Sequence, residues 1–193
     1  AGNSETVWYQ HSEYPILEQR HMHKWEYSLV GTDSIKAKCV NAGCDLDNND
    51  GGSMTIVAPA ELVYDGTSKD ADCTYNEWKP GKPAIVYNDI DRTNVTGQNI
   101  VASVTAGEAT ASVSYQIQPG EIIASMVTLS KTSVSYNGTE QSTTVTVKYD
   151  TTTPLTASVD YEITGTTSAT EISTGDGYAV TVTGKGNYIG TVT

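Results

Sequence analysis

Residues 23–39 read HKWEYSLVGTDSIKAKC, and this stretch decides the fold class. Trp25, Tyr27 and Leu29 occupy alternate positions, as do Ile35, Ala37 and Cys39. A period of two puts each set on one face of a strand. Gly31-Thr32-Asp33 between them suits a three-residue hairpin loop, with Gly free to take positive φ. That loop sets Leu29 opposite Ile35, Tyr27 opposite Ala37 and Trp25 opposite Cys39. The hairpin reads as a small head.

Its open end gathers chemistry. His23 should face Asn41, diagonal to Cys39, and His21 should lie near Gly43 and Cys44. Two imidazoles and two thiolates suit tetrahedral zinc, with His21, His23, Cys39 and Cys44 as ligands. The spacing H-x-H…C-x4-C is looser than that of a zinc-ribbon knuckle. An exported protein more often oxidises paired thiols, and a turn at Asn41-Ala42-Gly43 would let Cys39 and Cys44 form a disulfide. Reduced cysteines beside two polar strand-start histidines are the plain alternative. Cys73 is the odd third cysteine; its ordinary role is a small buried apolar residue, with a free or competing thiol as the alternative.

The segment DLDNNDGG (45–52) invites a calcium reading. Asp45, Asp47 and Asn49 match the first three ligand positions of an EF-hand loop, but Asp50 stands where Gly belongs and Ile56 where Glu belongs. A solvated linker is expected there instead. Trp8, Trp25 and Trp78 all fall early in the chain. Exposed, they would stack on sugars; buried, they are core.

Beyond the head the chain repeats. Tyr64-Asp65-Gly66-Thr67 recurs as Tyr136-Asn137-Gly138-Thr139, an offset of 72. Residues 99–117 (NIVASVTAGEATASVSYQI) read against 177–193 (GYAVTVTGKGNYIGTVT) at offset 78. Alternation continues in both copies: Val113, Tyr115 and Ile117; Val145, Val147 and Tyr149; Tyr178, Val180 and Val182. The only candidate for a helical turn is EYPILEQRH (13–21). An all-β chain follows: a β-hairpin head (1–52) and two tandem immunoglobulin-like β-sandwich modules (53–120 and 121–193). At offset 78, Tyr115 meets the last residue, Thr193. The second module is therefore expected to be truncated in its last strand, as in an excised piece of a longer protein.

These motifs carry a resemblance. HMHKWEYSLVGTDSIKAKCVNAGC, APAELVYDGTSKDA, SVTAGEATASVSYQI and YAVTVTGKGNYIGT together resemble the tandem YDG (or MBG) repeats of surface proteins of gut-type Gram-positive bacteria. The resemblance covers residues 21–193. It implies a secreted or wall-anchored location, a β-rich fold and further repeats in the same chain. It carries no chemistry that transfers residue by residue.

Charge narrows the function. The net charge is −12, and residues 1–52, 53–120 and 121–193 each carry −4, from 8, 8 and 7 acids against 4, 4 and 3 bases. Uniform acidity without a basic cluster disfavours nucleic acid and anionic membrane surfaces. No run approaches the roughly 18 apolar residues of a membrane span. No signal peptide precedes AGNSE, as expected of a mature or excised fragment.

The three histidines, His11, His21 and His23, lie in the head. There is no G-x-S-x-G elbow, no H-E-x-x-H and no phosphate-binding glycine loop. Lys131 or Lys148 with Asn137 could be imagined as a covalent cross-link, but exposed lysines are the ordinary reading. The expectation is a non-catalytic extracellular structural or interaction module of a bacterial stalk or adhesin. The alternatives are a domain binding a host glycan or protein through the Trp-bearing head, and an accessory domain of a larger secreted enzyme.

Overall fold

The computed structural model describes residues 22–193, together with the backbone of two earlier strands, β1 (Glu5–His11) and β2 (Tyr14–Arg20). The chain is all-β, with 42% of residues in strands and, among the described residues, no helix of seven or more residues. β2 occupies most of the one segment expected to turn helically; it pairs antiparallel with β1. A Tyr-Pro-Ile-Leu run, with apolar bulk at consecutive positions, lacks the 3.6-residue stripe that would make a helix pay its nucleation cost. No helix among the described residues is long and apolar enough to cross a membrane.

The chain divides into two compact units that interleave in sequence. The first comprises residues 1–60, 69–90 and 98–115; the second comprises 61–68, 91–97 and 116–193. This departs from the expected head (1–52) and modules (53–120, 121–193). The reason is sheet formation: the hairpin cannot bury its apolar face alone, and it pairs directly with the strands that follow.

In the first unit the hairpin is β3 (Trp25–Val30) and β4 (Ser34–Cys39). Trp25 pairs with Cys39, Tyr27 with Ala37 and Leu29 with Ile35, the register read from the sequence. β5 (Asp50–Val57) and β6 (Asp72–Asn76) extend it into a sheet ordered β3-β4-β5-β6. The segment expected to be a linker thus supplies a short 3-10 turn (Asp47–Asn49) and the start of β5.

A second sheet contains β7 (Val86–Tyr87), β8 (Ile100–Ala106) and β9 (Ala109–Tyr115). β9 lies against β3, β4 and β5, and Ser112 N–H donates to the Thr32 carbonyl at 2.8 Å. Between the sheets Ile35, Ala37, Cys39, Met54, Ile56, Ile100, Ala102 and Val104 are buried. Each large aliphatic side chain among them contributes about 1.5–3 kcal/mol. Cys73 is buried on β6, as a small apolar residue would be, and burial pushes its thiol pKa up.

The pairing of β4 with β5 slips between Lys36, opposite Ser53, and Lys38, opposite Asp50. Gly51 and Gly52 together face Ala37, a β-bulge. Gly52 has φ +80°, and a Cβ on it would stand 2.3 Å from the Glu77 backbone. A Cβ on Gly51 would stand 2.4 Å from the Trp25 ring. Both positions therefore need glycine, and Gly51 is what seats Trp25.

The second unit holds β10 (Gly120–Glu121), β11 (Val127–Leu129), β12 (Gln141–Ser142), β13 (Val145–Val147), β14 (Tyr161–Gly165), β15 (Ser168–Ala169), β16 (Val180–Gly184), β17 (Tyr188–Ile189) and β18 (Thr191–Val192). β11 pairs with β13, β12 with β15, and β16 lies between β14 and β18; β10 runs parallel to β17. Its core is Ile122, Val145, Val147, Tyr161, Val182 and Tyr188. Tyr64, from the first YDG motif, packs edge-on against Tyr188 at 5.3 Å.

The repeated turns are equivalent in their bonding. Asp65 Oδ1 accepts from Thr67 N–H at 2.9 Å and Thr67 Oγ1 at 2.6 Å. Asn137 Oδ1 accepts from Thr139 N–H at 3.0 Å and Thr139 Oγ1 at 2.7 Å. Gly66 and Gly138 have φ of +81° and +77°. The offset of 78, however, does not survive the last hairpin. Val104 pairs with Ala111, whereas Val182 pairs with Val192. Val192 thus corresponds to Ala111, not Ser114, because the second copy inserts Asn187-Tyr188-Ile189 to place Tyr188 in the core.

Candidate metal centre

Strand pairing brings the base of the hairpin together. Val40 N–H donates to the Lys24 carbonyl at 2.9 Å, and the Asn41 side-chain amide donates to the Met22 carbonyl. These bonds carry the ladder past Trp25–Cys39 to the level of His23. Gly43, at φ +74°, then turns the chain so that Cys44 comes back to the same point.

His23 Nδ1 lies 3.4 Å from Cys39 Sγ and 3.5 Å from Cys44 Sγ. The three atoms all fall within 4.8 Å of one another. Zinc–ligand bonds of about 2.0–2.3 Å place tetrahedral ligands about 3.3–3.8 Å apart. One imidazole nitrogen and two sulfurs at these spacings can hold a metal ion. The other ring nitrogen, Nε2, lies 3.6 Å from Asp45 Oδ1. A carboxylate there favours the tautomer with its proton on Nε2 and leaves the Nδ1 lone pair aimed at the sulfurs. Trp25 packs on the other side of the ring, centroids 5.0 Å apart and tilted 33°.

Cys39 is fully buried and Cys44 half-buried. Withdrawal from water raises the Cys44 thiol pKa. A hydrogen bond with the Leu46 backbone opposes the rise, and the neighbouring Cys39 and Asp45 add to it. Neither cysteine is in a disulfide here, nor is Cys73. The structure brings Cys39 and Cys44 together around His23 without joining them in a disulfide. Cys73 is outside the cluster, on β6. His21, the fourth expected ligand, lies outside the described residues, as does the side chain of Trp8.

The calcium candidates Asp45, Asp47 and Asn49 form no metal-binding group among the described residues. Asp50 beside them is taken up by the fold: it accepts from Gly52 N–H at 2.9 Å and pairs with Lys36 at 3.3 Å, which together hold its carboxyl below the usual range. Asn137, named for a cross-link, spends its side-chain oxygen on the Thr139 turn.

Trp25 and Trp78 are half-buried, and Tyr27 sits beside Trp78 with ring centroids 6.0 Å apart. Sequence reasoning did not place Asp45 behind His23 or Gly51 beneath Trp25. The adjacent glycines in DGG were the available signal for a close backbone approach. Comparison with protein-family models, curated proteins and solved structures finds no match.

Proposed function

We propose that the chain is a non-catalytic extracellular structural and interaction module, part of a bacterial surface stalk or adhesin, whose hairpin base is stapled by zinc on His23, Cys39 and Cys44. The observation that carries this reading is the duplicated turn. Asp65 with Thr67 and Asn137 with Thr139 make the same bonds in both copies. Polar side chains used repeatedly to hold backbone are what a tandem scaffold needs. Asp150 follows the same pattern, accepting from Thr152 and Thr153 N–H, both at 2.7 Å. Uniform negative charge keeps such a scaffold in solution.

Surface location is tested by labelling intact and lysed source cells with an antibody to residues 22–193. Labelling of intact cells supports the reading; signal only after lysis overturns it. Zinc is tested by elemental analysis of protein purified without chelator. About one zinc per chain is expected, with chelator lowering the melting temperature and reductant alone leaving it unchanged. Absence of metal, with a melting temperature that falls on reduction, would favour the disulfide instead.

The half-exposed rings of Trp25, Tyr27 and Trp78 favour a second reading, a glycan-binding surface in the same unit. A glycan array with the native chain and Trp78→Ala decides it: a sugar signal lost in the variant supports binding, and a blank array removes it.

A further inference from the structure

The two sulfurs at the hairpin base are placed unequally. Cys39 ends β4, fully buried and opposite Trp25, and the next residue, Val40, is held by the Lys24 carbonyl. Cys44 is half-buried and lies beyond the strand. Between them the chain turns at Gly43, where φ is +74° and an added Cβ would meet nothing within 4 Å. Ala42, Gly43 and Asp45 are exposed. One sulfur is therefore fixed in the core and closed to solvent. The other can be reached from solvent, on a loop with space around its turn.

Cys39 Sγ, Cys44 Sγ and His23 Nδ1 all lie within 4.8 Å of one another. Disulfide sulfurs stand about 2 Å apart, so a shift of less than about 3 Å by the loop would join the pair. The same sulfurs are two of the three atoms that can hold a metal ion. A metal takes them as thiolates, whereas a disulfide sulfur carries no charge to offer. Metal and disulfide exclude one another here, and His23 alone is too little to retain the ion. Only Val40, Asn41, Ala42 and Gly43 separate the cysteines. Closing so short a loop removes little chain entropy, which leaves the disulfide no large intrinsic advantage. The surrounding thiol–disulfide couple then decides which state is held.

We infer that Cys44 is a modification site for low-molecular-weight disulfides, and that Cys39 resolves the adduct into a Cys39–Cys44 disulfide that expels the metal. The metal half of this inference rests on the zinc reading of the same site. In the first step Cys44 Sγ bonds to one sulfur of the incoming disulfide, whose S–S bond breaks and releases one small thiol. In the second, Cys39 Sγ bonds to Cys44 Sγ, and the mixed disulfide breaks and releases the other. The two cysteines lose two electrons, and the small disulfide gains them. From the metal-free site each released sulfur carries away one cysteine proton. From the metal-bound site two small thiolates and the ion are released. The order is set by burial, since a solvent-borne disulfide meets Cys44 and not Cys39.

The test uses the 193-residue chain carrying Cys73→Val, so that only this pair of thiols remains. The reduced protein is loaded with zinc, freed of reductant and treated with oxidised glutathione. Zinc should appear in solution, read with a chromogenic chelator, in step with the loss of both thiols and the appearance of a peptide linking Cys39 to Cys44. Added reductant should restore zinc binding. Adding Cys39→Ala should leave one glutathione trapped on Cys44, seen by intact mass, whereas adding Cys44→Ala should leave Cys39 without an adduct. The inference fails if the Cys73→Val chain keeps both thiols and its zinc, or if the Cys44→Ala chain takes up glutathione as readily as the Cys39→Ala chain. A reduced chain that binds no zinc overturns the metal reading and with it the metal half of the inference. Thiol loss and the two adduct measurements then still decide whether Cys44 is attacked first and Cys39 resolves.

Discussion

Alanine at Gly51 and at Gly52 should have unequal costs, and the inequality tests the account of the hairpin base. At Gly52 the added Cβ would sit 2.3 Å from the Glu77 carbonyl carbon and oxygen and 2.5 Å from the Asn76 oxygen. These are backbone atoms of the neighbouring strand, and they cannot move without breaking the β5–β6 pairing. Positive φ adds roughly 1–2 kcal/mol for any residue with a Cβ. Overpacking adds roughly 1–3 kcal/mol, for a total of about 2–5 kcal/mol. At Gly51 the nearest atoms are the rim of the Trp25 indole and the Ala37 methyl at 2.9 Å. The indole is half-exposed and can swing out, and alanine recovers about 0.4–1 kcal/mol of unfolded-chain entropy. The net cost there is about 1–2 kcal/mol. For a chain of this size these losses lower the melting temperature by about 4–20 °C for Gly52→Ala and about 2–8 °C for Gly51→Ala. Thermal melts followed by circular dichroism measure both. Tryptophan fluorescence should shift to the red only in Gly51→Ala, as Trp25 leaves His23. If Gly51→Ala proves the more damaging, or if neither variant changes the melt, the bulge geometry is wrong.

Hydrogen bonds from Thr152 and Thr153 hold the Asp150 pKa down, from 3.8 to about 2. A depressed folded value means this stabilisation is complete above the ordinary carboxylate range and is lost as the pH falls through that interval; Asp150→Ala should flatten the acid limb of the stability curve between these pH values. Burial, with Tyr64, Asp160 and Tyr149 alongside, pushes the Tyr188 hydroxyl pKa from 10.0 up to about 12. The sign is opposite here: stability is intact below pH 10 and falls as the pH rises towards 12, and Tyr188→Phe should remove that alkaline loss in melts across the range. Cys73 pairs with Ile56 as Val145 pairs with Leu129. Cys73→Val should therefore stay within about 1.5 kcal/mol of the parent in urea unfolding, whereas Cys73→Ser should lose more, having buried a hydroxyl.

The hairpin was legible because its signals were local. Alternation on both strands and Gly31 in the loop fixed the pairing of Trp25 with Cys39, and that pairing carried His23 to the thiols. The repeated turns were legible for the same reason, since Asp65 and Asn137 bond only two residues ahead. What sequence could not supply was long-range. Asp50-Gly51-Gly52 reads as a polar linker until β4 offers it an edge to pair with. Tyr64 belongs with Tyr188 although 124 positions separate them in the numbering, and no local pattern announces such a partner. The offset of 78 failed after Gly184 because Tyr188 is inserted as a core residue, and a loop insertion leaves the alternation on either side unchanged.

The interleaving of the two units constrains how the chain can be made. Residues 61–68 and 91–97 belong to the later unit, yet they are synthesised well before Tyr188. Val95 N–H can donate to the Asn187 side-chain oxygen, 2.8 Å away in the finished fold, only once residue 187 has arrived. During translation these two segments must wait, tethered on both sides in sequence to segments of the first unit. A ribosome paused between residues 115 and 187 should therefore display a protected first unit with two protease-sensitive loops at 61–68 and 91–97. Expression boundaries drawn between the repeats would strand the same loops, so neither unit is a segment that can be cloned by a single cut.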